Sequence, residues 1–319
     1  MTGSQAPERA AAAGARPRIV AVVGPTGAGK TAMGIELAKR CEAEIINVDS
    51  RQVYRRLDIG SAKPTLEQRA AVRHHLIDVV DPDATFDCAQ FRRLALAAIA
   101  DISARGKRVL LVGGTGLYLK VVLRGLFDGP ARDATLRAPL LAEEAAAPGA
   151  LHRRLGAVDP AAAARLHPHD HPRLIRALEV YERTGQPMSV WQSAHGFAQR
   201  AFDTLVLGLS LPRVDLYARI AARCQAMLRD GLVDEVRELY ASGLDPDLPA
   251  LRSPGYAEIG AYVRGLCDLP SAITRMAQAT RRLAKRQLTW FRGDPQVLWC
   301  VPDLPALEPR AAAFWSETP

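Results

Sequence analysis

Apolar positions along this chain follow two periods, and the alternation between them outlines a fold. Residues 19–23, 44–48 and 108–112 are short runs dominated by Ile, Val and Leu, each followed by Gly or Asp. Runs of this kind predict strands buried on both faces. Between them, residues 32–40 and 86–105 recur at helical spacing. Phe91, Leu94, Ala98 and Ile102 form one side of the second helix, Gly106 caps it, and Lys107 opens the next turn. A polar loop runs from Asp49-Ser50 through Tyr54 and Asp58 to a Gly60-Ser61-Ala62-Lys63-Pro64 turn. The alternation predicts an α/β protein built on a parallel, doubly wound sheet of the P-loop NTPase-like kind.

Near residue 124 the pattern changes. From 125 to 202 there is little strand signal and much Ala, Leu and Arg, with Gly125, Gly129 and Pro130 at the entry and Arg200 to Asp203 at the exit. This predicts a helical insertion domain. A strand returns at 205–209, helices follow at 212–229, 232–242 and 271–292, and a last strand is expected at 297–301. The organisation read from the chain is therefore a disordered tail at 1–16, an α/β core with C-terminal helices at 17–124 and 203–319, and the insertion at 125–202. No internal repeat is present.

Composition narrows the class. With 319 residues, 48% hydrophobic and 24% charged, the chain suits a packed globular protein. A net charge of +8 hints at a polyanionic partner. Cys41, Cys88, Cys224, Cys267 and Cys300 are scattered with no C-x-x-C pair, which argues against a disulfide framework and a zinc site. No apolar run approaches the roughly 18 residues of a membrane span, and no signal-peptide core precedes the first strand, so the cytoplasm is expected.

The loop after the first strand carries the most chemistry. Gly24-Pro25-Thr26-Gly27-Ala28-Gly29-Lys30-Thr31 is a G-x-x-x-x-G-K-T sequence between strand and helix, the setting the nucleotide-binding P-loop requires. Its N–H groups and the helix N-terminus favour a di- or triphosphate. Lys30 is expected to reach the terminal phosphates and Thr31 to hold Mg²⁺. Ligands of doubly wound sheets bind beyond the carboxyl ends of the strands. The P-loop, Asp49-Ser50 and Gly113-Gly114-Thr115-Gly116 are therefore expected to converge. Asp49 suits an Mg²⁺ ligand, a general base or a turn cap. The third strand ends in Gly-Gly-Thr where an ordinary P-loop ATPase carries an Asp, which weakens an ATPase reading. Those glycines either let something approach the backbone closely or simply turn the chain.

In the last long helix Arg275, Arg281, Arg282, Lys285, Arg286 and Arg292 occur with no acidic residue between them. They form adjacent stripes, and Ile273, Met276, Thr280, Leu283, Leu288 and Phe291 supply the buried side. Nucleic-acid backbone binding is expected, with a solvated basic face as the plain alternative. Arg173, Arg176 and Arg183, and the Arg252-Ser253-Pro254-Gly255-Tyr256 segment, support it, or else are a helix start and a loop. His167, His169 and His171 suggest a metal at first sight, but Asp170 with Pro172 fits a helix start better.

Several of these segments together resemble one family. In order they are the P-loop, Asn47-Val48-Asp49-Ser50-Arg51-Gln52-Val53-Tyr54, Asp58-Ile59-Gly60-Ser61-Ala62-Lys63-Pro64, His75-Leu76-Ile77-Asp78 and Leu111-Val112-Gly113-Gly114-Thr115-Gly116-Leu117-Tyr118. Arg173-Leu174-Ile175-Arg176-Ala177-Leu178-Glu179 and Lys285-Arg286-Gln287-Leu288-Thr289-Trp290-Phe291-Arg292 follow. From about residue 18 to 300 the chain resembles the bacterial tRNA dimethylallyltransferases, or tRNA isopentenyltransferases.

The resemblance implies transfer of a dimethylallyl group from dimethylallyl diphosphate to N6 of the adenosine 3′ of the anticodon, with release of pyrophosphate. It implies that Gly24 to Thr31 cradle the diphosphate while Lys30 and Mg²⁺ stabilise the leaving group. Asp49 matches the position of the base, and Thr115 and Arg137 match positions near the reacting centre. Contacts with tRNA are implied at Asp49, Ser50, Arg51, Gln52, Thr115 and Arg137, and at Pro172, Arg173, Leu174, Ile175 and Arg176. They are implied also at Arg252, Ser253, Pro254, Gly255, Tyr256 and Ala257, and at Lys285, Arg286, Gln287, Leu288, Thr289, Trp290, Phe291 and Arg292. The insertion would touch the anticodon stem, and the protein would act as a monomer away from membranes. A P-loop small-molecule kinase would share Lys30 without needing the basic helix. An RNA-binding module with a vestigial P-loop would not need Asp49 and Thr115 at the phosphates.

Overall fold

The computed structural model describes residues 16–127, 129–196 and 201–317. Apart from Arg16, the expected tail lies outside the described residues, as does the Arg200 end of the insertion. The strands are β1 (Arg18–Val23), β2 (Ala43–Val48), β3 (His74–His75), β4 (Arg108–Gly113), β5 (Asp203–Leu209) and β6 (Val297–Cys300). Among the described residues the helices are α1 (Lys30–Arg40), α2 (Leu66–Ala71), α3 (Cys88–Ala104), α4 (Gly116–Arg124), α5 (Ala134–Ala146), α6 (Ala150–Val158) and α7 (Pro160–Ala163). They continue with α8 (His171–Thr184), α9 (Met188–His195), α10 (Arg213–Arg229), α11 (Leu232–Ala241), α12 (Tyr256–Val263), α13 (Leu269–Arg292) and α14 (Leu304–Ser316).

The strands form one parallel sheet in the order β3-β2-β4-β1-β5-β6. Ile19 in the centre stands opposite Val109 on one side and Thr204 on the other. Strand alternation divides the core in two. Ile19, Ala21 and Val23 pack with Phe91, Ile99 and Ile102 of α3, whereas Val20 and Val22 pack with Ile35 and Leu37 of α1 and Leu307 of α14. Each fully buried Leu, Ile or Phe here contributes roughly 1.5–3 kcal/mol.

The structure adds elements that periodicity does not signal. The two residues of β3 pair with Ile45 and Ile46. Helix α14 holds Pro309 in its interior yet buries Leu307 and Ala311 completely. Helix α3 begins two residues after Phe86, because Asp87 and Gln90 form a capping box in which Asp87 Oδ1 accepts from the N–H groups of Ala89 (2.9 Å) and Gln90 (2.9 Å). Phe86 stays outside the helix and meets Tyr118 edge-on at 6.4 Å. Asp170 does precede α8, but its side chain makes no capping bond.

Contacts separate the residues up to Leu123 and from Ala201 onward from a second unit, Arg124–Arg200. In the first unit a further cluster joins α10–α13 to Val53, Tyr54 and Leu57 of the loop after β2. The second unit packs its helices around Leu140, Leu151, Leu155, Leu174 and Leu178.

Candidate active site at the carboxyl ends of the strands

The P-loop leaves β1 at Gly24 and enters α1 at Gly29. Gly24 has φ 136° and sits so close to β5 that a Cβ would lie 2.5 Å from the Leu209 carbonyl oxygen, so no side chain fits. Gly29, at φ 90°, caps α1, which starts at Lys30. The Lys30 ammonium donates to the Pro25 carbonyl at 2.8 Å and lines the pocket beyond β1. Burial lowers its pKa, Asp49 offsets part of this and Arg223 adds to it, leaving a value of about 8. A phosphate arriving there meets a cation poorly matched by the protein alone.

Asp49 follows β2. Its Oδ1 accepts from the N–H groups of Arg51 (2.8 Å) and Gln52 (3.4 Å), so one oxygen does cap the turn. Its Oδ2 has no hydrogen-bond partner among the described residues, and the residue lines the same pocket. The cap therefore uses one oxygen of the carboxylate and leaves the other without a hydrogen bond among the described residues. Thr115 joins this turn to β4: its hydroxyl accepts from the Ser50 N–H at 3.0 Å, and its own N–H donates to the Val48 carbonyl at 3.1 Å.

What approaches the glycines after β4 is the protein itself. A Cβ on Gly113 would lie 2.0 Å from the Val48 oxygen, one on Gly114 would lie 2.3 Å from the Gln287 amide nitrogen, and one on Gly116 would meet the Trp290 indole at 2.1 Å. Gln287 fills the gap between two loops: it accepts from the Thr26 N–H at 2.8 Å and donates to the Gly114 carbonyl at 3.1 Å. Its amide is thus committed to the protein, and so is one P-loop N–H.

Arg223 on α10 is the site residue that sequence reasoning missed. It donates to the Thr26 hydroxyl at 2.5 Å and lines the pocket, with Nε buried and unpartnered. No carboxylate among the described residues pairs with it. Burial lowers its pKa, with partial compensation from Cys224 and Asp49. Its signal in the chain was weak, because one Arg among several in an ordinary amphipathic helix has no motif. The pocket enclosed by these groups measures about 300 Å³, and Thr26, Lys30, Thr31, Asp49, Thr115 and Arg223 all face it.

The basic helix divides. Arg275, Arg282, Lys285, Arg286 and Arg292 are exposed and make no ion pair among the described residues. Arg281 departs from the expected stripe: it turns inward over Tyr217, 5.5 Å from the ring centre. The buried side is largely alanine with Met276, Thr280 and Phe291, while Ile273, Leu283 and Leu288 are half-buried.

Several implied tRNA contacts have no free side chain. Leu174, Ile175, Tyr256 and Phe291 are inside the packing, and the Ser253 hydroxyl donates to the Ala250 carbonyl at 3.0 Å. The Gln52 amide donates to the carbonyls of Ser61 (3.1 Å) and Ala62 (3.0 Å), and Arg51 donates to the Pro249 carbonyl at 2.7 Å. Trp290, Thr289 and Arg252 remain exposed, and Pro254 and Ala257 are half-buried.

In the helical unit, Glu179 is fully buried and takes a bidentate pair from Arg137 (3.1 and 3.1 Å) and a bond from Arg176 (2.8 Å). The charge of Arg137, which the resemblance places near the reacting centre, is matched here by a carboxylate. Arg176, half-buried, and Arg183, exposed, also donate to the Pro130 (2.8 Å) and Ala131 (2.7 Å) carbonyls, and Arg173 is exposed and paired at 3.2 Å with Asp170. His167 and His169 stack at 5.1 Å, but no group of three or more His, Cys, Asp or Glu among the described residues is arranged to hold a metal.

Sheet order, the G-x-x-x-x-G-K-T loop and the opposing carboxylate together define an α/β protein in which Lys30 and Asp49 line one pocket beyond the carboxyl ends of the strands. Comparison with known proteins places it further. The family model for IPP transferase matches residues 52–294. A tRNA dimethylallyltransferase of Geobacter sulfurreducens is 50% identical over 289 residues, covering 90% of this chain and 93% of its own. One from Anaeromyxobacter is 49% identical over 306 residues, covering 93% and 99%. The solved tRNA isopentenylpyrophosphate transferase of Bacillus halodurans superposes with a TM-score of 0.69 at 39% identity, covering 94% and 95%. A eukaryotic dimethylallyltransferase described as acting on tRNA superposes at 0.75 with 28% identity, covering 93% and 77%. The chain belongs to the IPP transferase family, and the kinase and RNA-module alternatives fall away. No described helix is long and apolar enough to cross a membrane.

Proposed function

We propose that this protein transfers a dimethylallyl group from dimethylallyl diphosphate to N6 of the adenosine 3′ of the anticodon in tRNA and releases pyrophosphate. The observation that carries this reading is that Asp49, whose Oδ2 has no hydrogen-bond partner among the described residues, lines the same pocket as Lys30 and Arg223. The N6 amine is a weak nucleophile because its lone pair is delocalised into the ring. Asp49 takes its proton as the C–N bond forms and the allylic C–O bond breaks. A positioned base of this kind commonly supplies about 10²- to 10⁴-fold. Lys30 and Arg223 carry the charge that develops on the leaving pyrophosphate. The base reaches Asp49 only when flipped from its stack, at a cost of a few kcal/mol, and the exposed cations of α13 offset that cost through backbone contacts.

The donor set also suits Mg²⁺. Thr31 lines the pocket with Asp49, no cage of carboxylates is present among the described residues, and Mg²⁺ is commonly held by few protein groups plus substrate phosphates. When bound with the diphosphate through Thr31, the ion would neutralise phosphate charge.

The test mixes protein, Mg²⁺, labelled dimethylallyl diphosphate and an unmodified tRNA with adenosine 3′ of the anticodon. Label enters the RNA if the reading holds; label that stays in dimethylallyl diphosphate sinks it. Asp49→Ala should keep tRNA affinity within a few-fold and lose turnover. Parallel losses of both would make Asp49 a structural residue.

A further inference from the structure

The turn that carries Asp49 is tied to a carboxylate outside the pocket. Glu235, on α11, receives four hydrogen bonds. Its Oε2 accepts from the N–H groups of Asp58 (3.1 Å) and Ile59 (2.7 Å), and its Oε1 from the Gly60 N–H (3.1 Å) and the Tyr256 hydroxyl (2.6 Å). Three consecutive backbone donors and a phenol converging on one side chain need two accepting oxygens, which a carboxylate has and an amide lacks. Tyr256 is 1% exposed. Its burial, followed by the adjacent Glu235 charge, pushes the phenol well above its ordinary pKa, so it remains a donor. Gly60 completes the fit, since a Cβ there would lie 2.5 Å from the Tyr256 ring.

The loop held in this way reaches the site through Gln52. The carbonyls of Ser61 and Ala62 accept from the Gln52 amide, and the Gln52 N–H goes to Asp49 Oδ1 at 3.4 Å. Lys63 pins the far end of the loop, donating to Asp78 at 2.7 Å and to the Tyr54 carbonyl at 2.9 Å. Tyr256 begins α12, one residue beyond the Arg252-Ser253-Pro254 stretch that lines the pocket. Neither Glu235 nor Tyr256 lines it.

We infer that Glu235 is a positioning residue for Asp49, and that Tyr256 makes this positioning depend on where the 252–257 segment sits. An RNA seated on that segment would thereby set the register of the base. The consequence for rate rests on the prenyl-transfer reading; the mechanical link does not.

The experiment compares the full-length wild type with Glu235→Gln and with Tyr256→Phe, which keeps the ring against Gly60 and removes only the hydroxyl. Three quantities are read: amide hydrogen exchange by peptide, affinity for inorganic pyrophosphate, and the single-turnover rate at saturating tRNA. Exchange in the peptide spanning 49–54 should speed up while that of 24–31 and the pyrophosphate affinity stay within about twofold. The rate should fall by up to about 10²-fold in Glu235→Gln, the scale of a small misplacement at a reacting centre. It should fall at least about fivefold in Tyr256→Phe, the scale of one lost hydrogen bond. Unchanged exchange at 49–54 overturns the link. So does equal loosening of the P-loop and the 49–54 peptide, which would mark Glu235 as general structural support. Faster exchange with an unaltered rate overturns the positioning role. A wild type that transfers no label fails the prenyl-transfer reading, while exchange still decides the link.

Discussion

Replacing Arg223 by Met should make the ligand-free protein more stable and the liganded site weaker. Among the described residues the guanidinium has one hydrogen bond, to Thr26 at 2.5 Å, and an Nε without a partner. A buried donor left unsatisfied costs roughly 1–3 kcal/mol, and a desolvated charge adds to this, offset in part by Asp49. Methionine follows a similar path through the packing and removes both costs, while the lost bond to Thr26 takes back about 0.5–1.5 kcal/mol. The balance favours the variant by about 1–2 kcal/mol, a rise in apo Tm of about 2–8 °C for a unit of this size. Pyrophosphate binding moves the other way. A charge-assisted bond of about 1.5–3 kcal/mol disappears, so the affinity should fall about 10- to 150-fold. Thermal melts with and without pyrophosphate and Mg²⁺ would show the order of stabilities reverse as ligand is added. A variant less stable than the wild type without ligand refutes the reasoning about unmet burial. Unchanged pyrophosphate affinity removes Arg223 from the phosphate site.

Other outcomes follow from the same charges. With Lys30 near pKa 8 in the free protein, its ammonium is lost as pH rises from 7 to 9, so diphosphate affinity should drop about tenfold over that range. Lys30→Arg should flatten the drop, and matching slopes in isothermal titration would show that the ligand does not meet Lys30. Glu179 is raised by burial but brought down to about 2 by Arg137, Arg176 and the Asp133 N–H. Its folded pKa lies below its unfolded one, so its stabilisation is complete above about pH 4.5 and fades as pH falls towards 2. Glu179→Gln should therefore lose about 3 kcal/mol at pH 7, and in acid titrations followed by circular dichroism the gap to wild type should close. A gap independent of pH would contradict this. Arg282→Ala and Arg286→Ala should each lower the salt slope of tRNA binding by about one; an unchanged slope returns that face of α13 to plain solvation.

The chain declares some of this by itself and leaves the rest to packing. The strands β1, β2 and β4 were legible because strands covered on both faces are dominated by apolar residues, and the P-loop was legible because its whole motif lies in one short segment. Asp49 was legible by its position at a strand end. Elements shorter than a period, such as β3, or interrupted by proline, such as α14, leave no such trace. The assignment of single side chains lay further out of reach. Whether Arg281 faces solvent or Tyr217, whether Gln287 meets RNA or the P-loop, and whether Arg176 is free or bound to Glu179 depend on partners far away in sequence. The glycines after β4 show the same divide: a close approach or a plain turn were both open from sequence, and the approaching groups are Val48, Gln287 and Trp290. Sequence determines what is local, periodic and contiguous. Tertiary structure alone decides which cations are left unmatched, because pairing and desolvation are set by neighbours the chain brings together only on folding. That is why Lys30 could be found from its motif and Arg223 could not.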